Sequence, residues 1–316
     1  MSFRINEELS FKRLELFLAY MKTTSMAEAA ELMDSNPISV HRAIRSLETS
    51  LRVALFRRVG RNLIPSEAAH VLAEAAEEVL DRMEAGVNSA RGVAGYASDE
   101  LKIGSLYSLT HSWMPKVIIT MAERRPDLRC ELKLGRAKNE LLPDLRTGKL
   151  DVVFAEVDKI GSDMVSLPIF VDSVYFAVTR GSPYESMSEI DLGVCFEEKI
   201  ATLTEGPFTT ARLRADFIEF QPQVVMEVED IFTLMNLVAN GVACALVHGR
   251  IREMFKNNVS FVPVAEKFNI PQTVGACFMR SRERDPNLLS LVAALRLLSA
   301  EESRRTQPST PGDDET

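Results

Sequence analysis

Cysteine is scarce: Cys130, Cys195, Cys244 and Cys277 are the only four in 316 residues, and no two lie within thirty positions. That spacing excludes CxxC redox and zinc motifs and fits reduced, buried thiols in a cytoplasmic protein. Histidine is equally sparse, and His41, His70, His111 and His248 show no zinc-ligand spacing. There is no GxSxG, no P-loop and no GxGxxG after a strand, so the sequence offers no enzyme chemistry and calls for no cofactor or metal. The opening residues MSFRINEELSF contain no apolar h-region, which argues against a secretory signal. The nineteen uncharged residues from Ile231 to Gly249 approach membrane-spanning length. They contain Asn236, Asn240, Gly241 and His248, however, and Asn240-Gly241 reads as a helix stop, so a helix followed by a strand is expected there instead.

What is present is ordinary in bulk and uneven in detail. Hydrophobic residues make up 46% and charged residues 26%, as in a soluble globular protein, and the length suits about two domains. The net charge of -8 would argue against a polyanionic partner. Yet residues 1–65 hold ten Lys/Arg against seven Asp/Glu, a net of +3, so the remainder carries -8 - 3 = -11. Between Ser35 and Asn62 six Arg face one Glu. Such asymmetry predicts one part that meets a polyanion and one that does not.

The basic part reads as three short helices and a hairpin. Leu14, Phe17, Leu18 and Met21 have helical spacing within Leu9–Met21. Ser25, three positions before Glu28, reads as a capping box opening an alanine-rich second helix, Ala27–Met33. Pro37 suits the first turn of a third helix running to about Ser50, with Val40, Ala43, Ile44 and Leu47 as its apolar stripe. Leu55–Ile64 reads as a hairpin with a glycine turn. A winged helix-turn-helix needs this: a small second helix packed closely, a third helix whose polar face enters the major groove, and a basic hairpin on phosphates. The candidate DNA-binding residues are Asn36, Pro37, Ser39, His41, Arg42, Arg45, Arg58 and Arg61. A solvated basic face on a helical domain would show the same charges.

Ala29-Ala30, Val40, Arg42, Ile44, Leu47-Glu48, Leu55-Phe56, Arg58, Arg61 and Ser66-x-Ala68 together resemble the N-terminal domain of LysR-type transcriptional regulators. Three positions depart from the family pattern: Pro37-Ile38 stands where Gln-Pro is common, His41 where Ser is usual, and Pro65 where Leu is usual.

Ser66 then opens a long helix to about Val93. Leu72, Ala76, Val79, Met83, Gly86 and Ala90 form a heptad seam, with Glu74, Glu77, Glu78, Asp81 and Glu84 outside it. Residues 66–98 are therefore expected to be a dimerising linker helix ending in a hinge at Gly92, Gly95 and Ser98, although an amphipathic helix packed on its own domain has the same pattern. The resemblance implies a homodimer through this helix, and a homotetramer.

From Leu101 onward strands (Leu101–Gly104, Cys130–Leu134, Asp151–Ala155, Val174–Thr179, Ile200–Leu203, Val224–Glu227, Ala243–Val247 and Val274–Met279) alternate with helices (Ser112–Arg125, Asn139–Arg146, Thr210–Phe220, Ile231–Ala239 and Leu288–Ser299), so the fold class is α/β, with parallel sheets covered by helices on both sides. The resemblance adds a two-subdomain effector domain like periplasmic solute-binding proteins. One subdomain comprises residues 99–170 and 265–300 and the other residues 171–264. The polar stretch 301–316 reads as a disordered tail.

Ligands of open α/β sheets bind where strand ends meet helix starts. Ser108 and Thr110 lie at one such junction, Arg136 at a second, Phe208, Thr209 and Thr210 at a third, Asp230 at a fourth, and His248 and Arg250 follow a further strand. Hydroxyls beside helix N–H groups suit a carboxylate. Thr110, Thr209 and Asp230 also suit plain helix caps, and Arg136 and Arg250 suit solvated surface charges. Ile103–Thr110, Glu229–Phe232 and Arg282–Pro286 resemble the LysR-type regulators of malonate-decarboxylase operons, which implies malonate or a similar small carboxylate as effector. His248 stands where that pattern has Pro. Two other classes compete with a ligand-responsive DNA-binding regulator: a solute-binding module without a DNA role, and an enzyme.

Overall fold

A computed structural model describes residues 9–59, 62–158, 160–195, 198–206, 208–210, 212–213 and 222–306. The chain forms two compact units, Met1–Asn88 and Ser89–Thr316.

In the first unit, α1 (Phe11–Thr23), α2 (Met26–Leu32) and α3 (Pro37–Leu51) are followed by an antiparallel hairpin, β1 (Phe56–Val59) and β2 (Asn62–Pro65), and then by α4 (Glu67–Val93). The apolar stripe of α3 is fully buried, with Val40, Ala43, Ile44 and Leu47 meeting Phe17 of α1 and Ala29 and Ala30 of α2. Alanine at the α2 positions lets the helices approach closely. Phe56 carries the hairpin into this core, edge-on to Tyr20 and Phe17 with ring centroids 5.1 and 6.0 Å away. Only half of the capping box forms: Ser25 Oγ accepts the Glu28 amide, while the Ser25 amide donates to Thr23 Oγ1.

The second unit holds a five-stranded sheet in the order β4-β3-β5-β12-β6. Its strands are β3 (Glu100–Ser105), β4 (Arg129–Leu134), β5 (Val152–Glu156), β6 (Met164–Asp172) and β12 (Gln272–Met279). Helices α5 (Trp113–Arg124), α6 (Leu142–Thr147) and α9 (Pro286–Thr306) belong to the same part of the chain. Val117 and Met121 of α5 and Leu288, Leu291 and Leu295 of α9 are buried together with Leu101, Ile103 and Phe154 of the sheet. A second group comprises β7 (Val174–Thr179), β8 (Lys199–Leu203), β9 (Gln223–Val228), β10 (Ala245–His248) and β11 (Val259–Pro263), with α7 (Ile231–Ala239) and α8 (Arg252–Phe255). Strands β10, β7 and β11 form one sheet and β8 and β9 another. Backbone bonds from Cys244 to Lys199 and Ala201, at 2.7 and 2.9 Å, stitch the two together.

The expectation of parallel sheets needs correction. Among the described strands β4-β3-β5 and β8-β9 pair in parallel, whereas β12 runs antiparallel to β5 and β6, and β7 runs antiparallel to β10 and β11. Two strands had no counterpart in the sequence reading, β6 and β11. Pro168 lies inside β6, which is tolerated because β6 is an edge strand. The register shifts between Val274 and Gly275, and a Cβ at Gly275 would sit 2.3 Å from the Leu167 carbonyl oxygen.

Three further expectations meet differences. The helix foreseen from Asn139 begins as a single π-turn, Ala137–Leu141, before α6. The helix foreseen over Thr210–Phe220 lies mostly outside the described residues. Helix α9 runs to Thr306, six residues into the stretch taken for a disordered tail. The sequence Glu-Glu-Ser-Arg-Arg there is polar, but it is rich in good helix formers with opposite charges three and four apart. Residues 307–316 lie outside the described residues.

Candidate nucleic-acid interface and effector cleft

Helix α3 is built to present a polar face. Asn36 caps it, with Oδ1 accepting the Ser39 amide at 2.9 Å, and Pro37 occupies its first turn. His41, Arg42 and Arg45 are exposed, whereas Ser39 is half-buried. Arg45 is not turned wholly outward, because its guanidinium pairs with Glu48 at 3.0 Å. Glu48 has a second task the sequence did not reveal: its Oε1 accepts the Leu55 and Phe56 amides at 3.0 and 3.1 Å. The one carboxylate of the basic stretch therefore fastens the hairpin to α3. Tyr20 adds a second tether from its hydroxyl to the Leu63 carbonyl. Arg57 and Arg58 on β1 are exposed, and Arg61 lies outside the described residues. Ile38, at the start of α3, is 71% exposed, an apolar side chain on an otherwise polar face.

Helix α4 divides its foreseen seam in two. Ala76 is buried and Leu72 partly buried against the unit's own core. Val79, Met83 and Val87, spaced by one helical turn, are 49%, 52% and 41% exposed. At the far end Gly92 is buried, and a Cβ there would lie 3.3 Å from Asp285 Oδ2. Gly95 takes the left-handed φ of 83° that ends the helix, and the Tyr96 amide closes back on the Arg91 carbonyl. The Ser98 carbonyl accepts from Asn287 Nδ2 at 2.9 Å.

Of the nine candidate ligand residues, four converge. Arg250 Nε donates to Ser108 Oγ at 2.9 Å, His248 lies two residues away at the end of β10, and the Phe208 ring lies 5.1 Å from the His248 ring. All but Arg250 are buried by whole residue, and the Arg250 side chain is only 13% exposed. Burial and the nearby Arg250 charge push the His248 imidazole down to about 4, so it is neutral near pH 7 and its Nε2 pairs with the Ile270 carbonyl at 3.0 Å. Ser108 accepts from Arg250 and makes no donating bond among the described residues, which leaves its proton to offer.

The other five make their bonds elsewhere, three of them as local caps and turns and two across longer separations. The Thr110 hydroxyl donates to the Tyr107 carbonyl at 2.7 Å. Thr209 Oγ1 accepts the Arg212 amide, and the Thr210 hydroxyl donates to Glu227. Asp230 caps α7 through the Phe232 and Thr233 amides, both at 2.9 Å, and bonds with the Thr233 hydroxyl hold its carboxyl below the usual range. Arg136 is a half-buried cation facing Glu140 at 2.7 Å and Glu205 at 3.4 Å, and both carboxylates raise its pKa.

Sequence reasoning missed three residues that surround Arg250. Asp172 Oδ2 pairs with Arg250 Nη1 at 3.0 Å, Gln272 Oε1 accepts from Arg250 Nη2 at 3.0 Å, and Gln272 Nε2 donates to Glu156 at 3.0 Å. Burial pushes the Asp172 carboxyl up, and the Arg250 charge opposes that. No motif marks these residues; strand pairing brings them together, since Asp172 and Gln272 are direct partners across β6 and β12.

A helical module with an exposed basic face precedes a separate α/β unit, and family models match both: the chain is a DNA-binding transcription regulator with an effector-binding domain. The chain belongs to the LysR family: residues 11–70 match the bacterial regulatory helix-turn-helix protein, lysR family, and residues 94–298 match the LysR substrate binding domain. Among curated proteins it is 35% identical to the malonate utilization transcriptional regulator of Klebsiella pneumoniae, over 93% of this chain and 96% of that protein. It is 23% identical to the transcriptional regulator BenM of Acinetobacter baylyi, over 95% of this chain and 100% of that one. Among solved structures the fold resembles full-length CbnR in complex with its target DNA, with a TM-score of 0.67 at 19% identity, covering 91% and 99% of the two chains. No described helix is long and apolar enough to cross a membrane.

Proposed function

We propose that this LysR-family regulator controls an operon for malonate or similar small-carboxylate catabolism, with malonate as its effector. The 35% identity to a malonate utilization regulator along nearly the whole chain carries this reading. The convergence of Ser108, Phe208, His248 and Arg250 supports it with a place for a carboxylate. Because Asp172 balances the charge of Arg250 and His248 is neutral, the anion is held chiefly by hydrogen-bond donors, Ser108 first among them. Operator DNA is met by His41, Arg42 and Arg45 on α3 and by Arg58 and Arg61 on the hairpin. Asn36, Pro37 and Ser39 shape the start of α3. The protein works in the cytoplasm as a homodimer, and as a homotetramer built from two such dimers, with the exposed row Val79-Met83-Val87 of α4 covered by a second copy. The seam thus shifts toward the C-terminal half of the helix, since Leu72 and Ala76 are used by the chain's own core.

Calorimetry of the full chain with malonate tests the effector. The account predicts saturable heat that falls at least about tenfold in affinity in Ser108→Ala, the loss of one charge-assisted hydrogen bond. Binding of a different small metabolite but no malonate would replace the effector and leave the regulator standing.

A further inference from the structure

The three residues His248, Gly249 and Arg250 touch both segments that cross between the two sheet groups. His248 pairs with the Ile270 carbonyl on the returning segment. The Gly249 amide donates to the Ser173 carbonyl, between β6 and β7, at 3.0 Å. The Arg250 amide donates to Asp172 Oδ2 at 3.1 Å. A side chain at position 249 has no room: a Cβ would lie 2.7 Å from Tyr175 Cε2 and 3.0 Å from Asp172 Oδ1. Beyond this turn the guanidinium has three edges and three different partners. Nη1 meets Asp172, Nη2 meets Gln272, itself anchored by Glu156, and Nε meets Ser108.

We propose that Asp172 and Gln272 are the positioning residues of the effector site: they lock the Arg250 guanidinium, across a turn that only Gly249 permits, so that its Nε edge occupies the lone pair of Ser108 and directs the Ser108 proton to the bound acid. A buried planar cation with two of its edges fixed has one orientation left, so the Ser108 contact follows from the other two. The ion pair also sets a selectivity. An acid entering beside a guanidinium that is already neutralised is recognised by donor placement, not by net positive charge. Two carboxylates nearby, Asp172 and Glu156, disfavour an anion that seeks Arg250 directly.

The proposal rests on Ser108 being an effector contact, so its test has one readout that needs the effector and one that does not. In the full chain, Gln272→Ala is expected to weaken malonate binding about tenfold, the effect of losing one bond to a charged group. In an Arg250→Lys background the same substitution is expected to change nothing further, because it acts through the guanidinium. Additive losses, or wild-type affinity in Gln272→Ala, would overturn it. The second readout is amide hydrogen exchange without ligand. Asp172→Asn is expected to raise exchange at Gly249 and Arg250 at least tenfold while amides in the core of β3 and β5 stay protected; unchanged exchange at residues 249 and 250 would overturn it. If the wild-type chain binds no malonate, the effector assignment fails, and exchange alone still decides whether Asp172 holds the turn. Should Asp172→Asn fail to fold, Gln272→Ala supports the same exchange measurement at Arg250.

Discussion

Two sets of cations, one in each unit, are deployed in opposite ways. On α3 and the hairpin, His41, Arg42, Arg57 and Arg58 stand exposed around the single carboxylate of Glu48. In the second unit, Arg250 and Arg282 are buried with acidic partners, Arg250 with Asp172 and Arg282 with Asp151 and Asp285. An exposed cation costs folding almost nothing and is available to a polyanion, whereas a buried one is spent inside the fold and positions other groups. Removing one of the exposed cations of α3 or the hairpin should therefore cost binding, and removing Arg250 or Arg282 should cost folding.

The strongest way to break that contrast is Arg282→Ala. It strips a buried triad of its only cation and leaves Asp151 and Asp285 facing each other's charge. Breaking a buried ion pair from one side costs about 3–5 kcal/mol. Thermal unfolding should show the second unit melting much earlier, with the helical module unaffected. A shift no larger than that of a surface arginine would mean that the triad contributes little.

His248 gives the next effect, and its sign is fixed by the direction of its shift. The unfolded imidazole takes a proton near 6.5, and the folded one only near about 4. Between these values the unfolded state binds more protons, so stability falls as the pH drops through that window. The contribution lost by pH 5 is about 2 kcal/mol. Urea unfolding at pH 7 and pH 5 should show this extra loss in the wild type and not in His248→Gln. An equal pH dependence in both would place the titration elsewhere.

The smallest effect belongs to the exposed face. Arg42→Ala should leave unfolding unchanged and weaken operator binding by about 1–3 kcal/mol. It should also reduce the slope of affinity against salt if a phosphate contact is lost, by about one unit. Gel shifts at several salt concentrations measure both. A loss of thermal stability comparable to that of Arg282→Ala would erase the distinction between the units.

The helical module was the more legible of the two in sequence, for a physical reason. Its elements are local: the α3 stripe and Pro37 are each written within a few residues and formed as the spacing implied, and the structure adds Asn36 as the cap beside them. The role of Glu48 was hidden because its partners, Leu55 and Phe56, lie seven and eight positions away across a turn. In the second unit the strand alternation was visible, but strand direction was not, since β12 arrives more than a hundred residues after β5 and inserts antiparallel. Pro168 concealed β6 because a proline is allowed only where no partner strand needs its amide. The hydroxyl-rich junctions drew attention to Thr110, Thr209 and Asp230, whose polar groups are taken up by local backbone. Asp172 and Gln272 carried no signal, because a single polar residue at a strand end gains meaning only from its neighbour across the sheet.

The central claim is that an acid bound at Ser108 alters how the basic module engages its operator. Gel shifts of the full chain on its own upstream DNA, with and without malonate, test it most directly when Ser108→Ala is run beside the wild type. The account predicts that malonate changes the affinity or mobility of the wild-type complex. In Ser108→Ala it predicts unchanged ligand-free binding and a response needing at least about tenfold more malonate. An equal malonate response in both proteins, or a Ser108→Ala variant that no longer binds DNA without ligand, would contradict it.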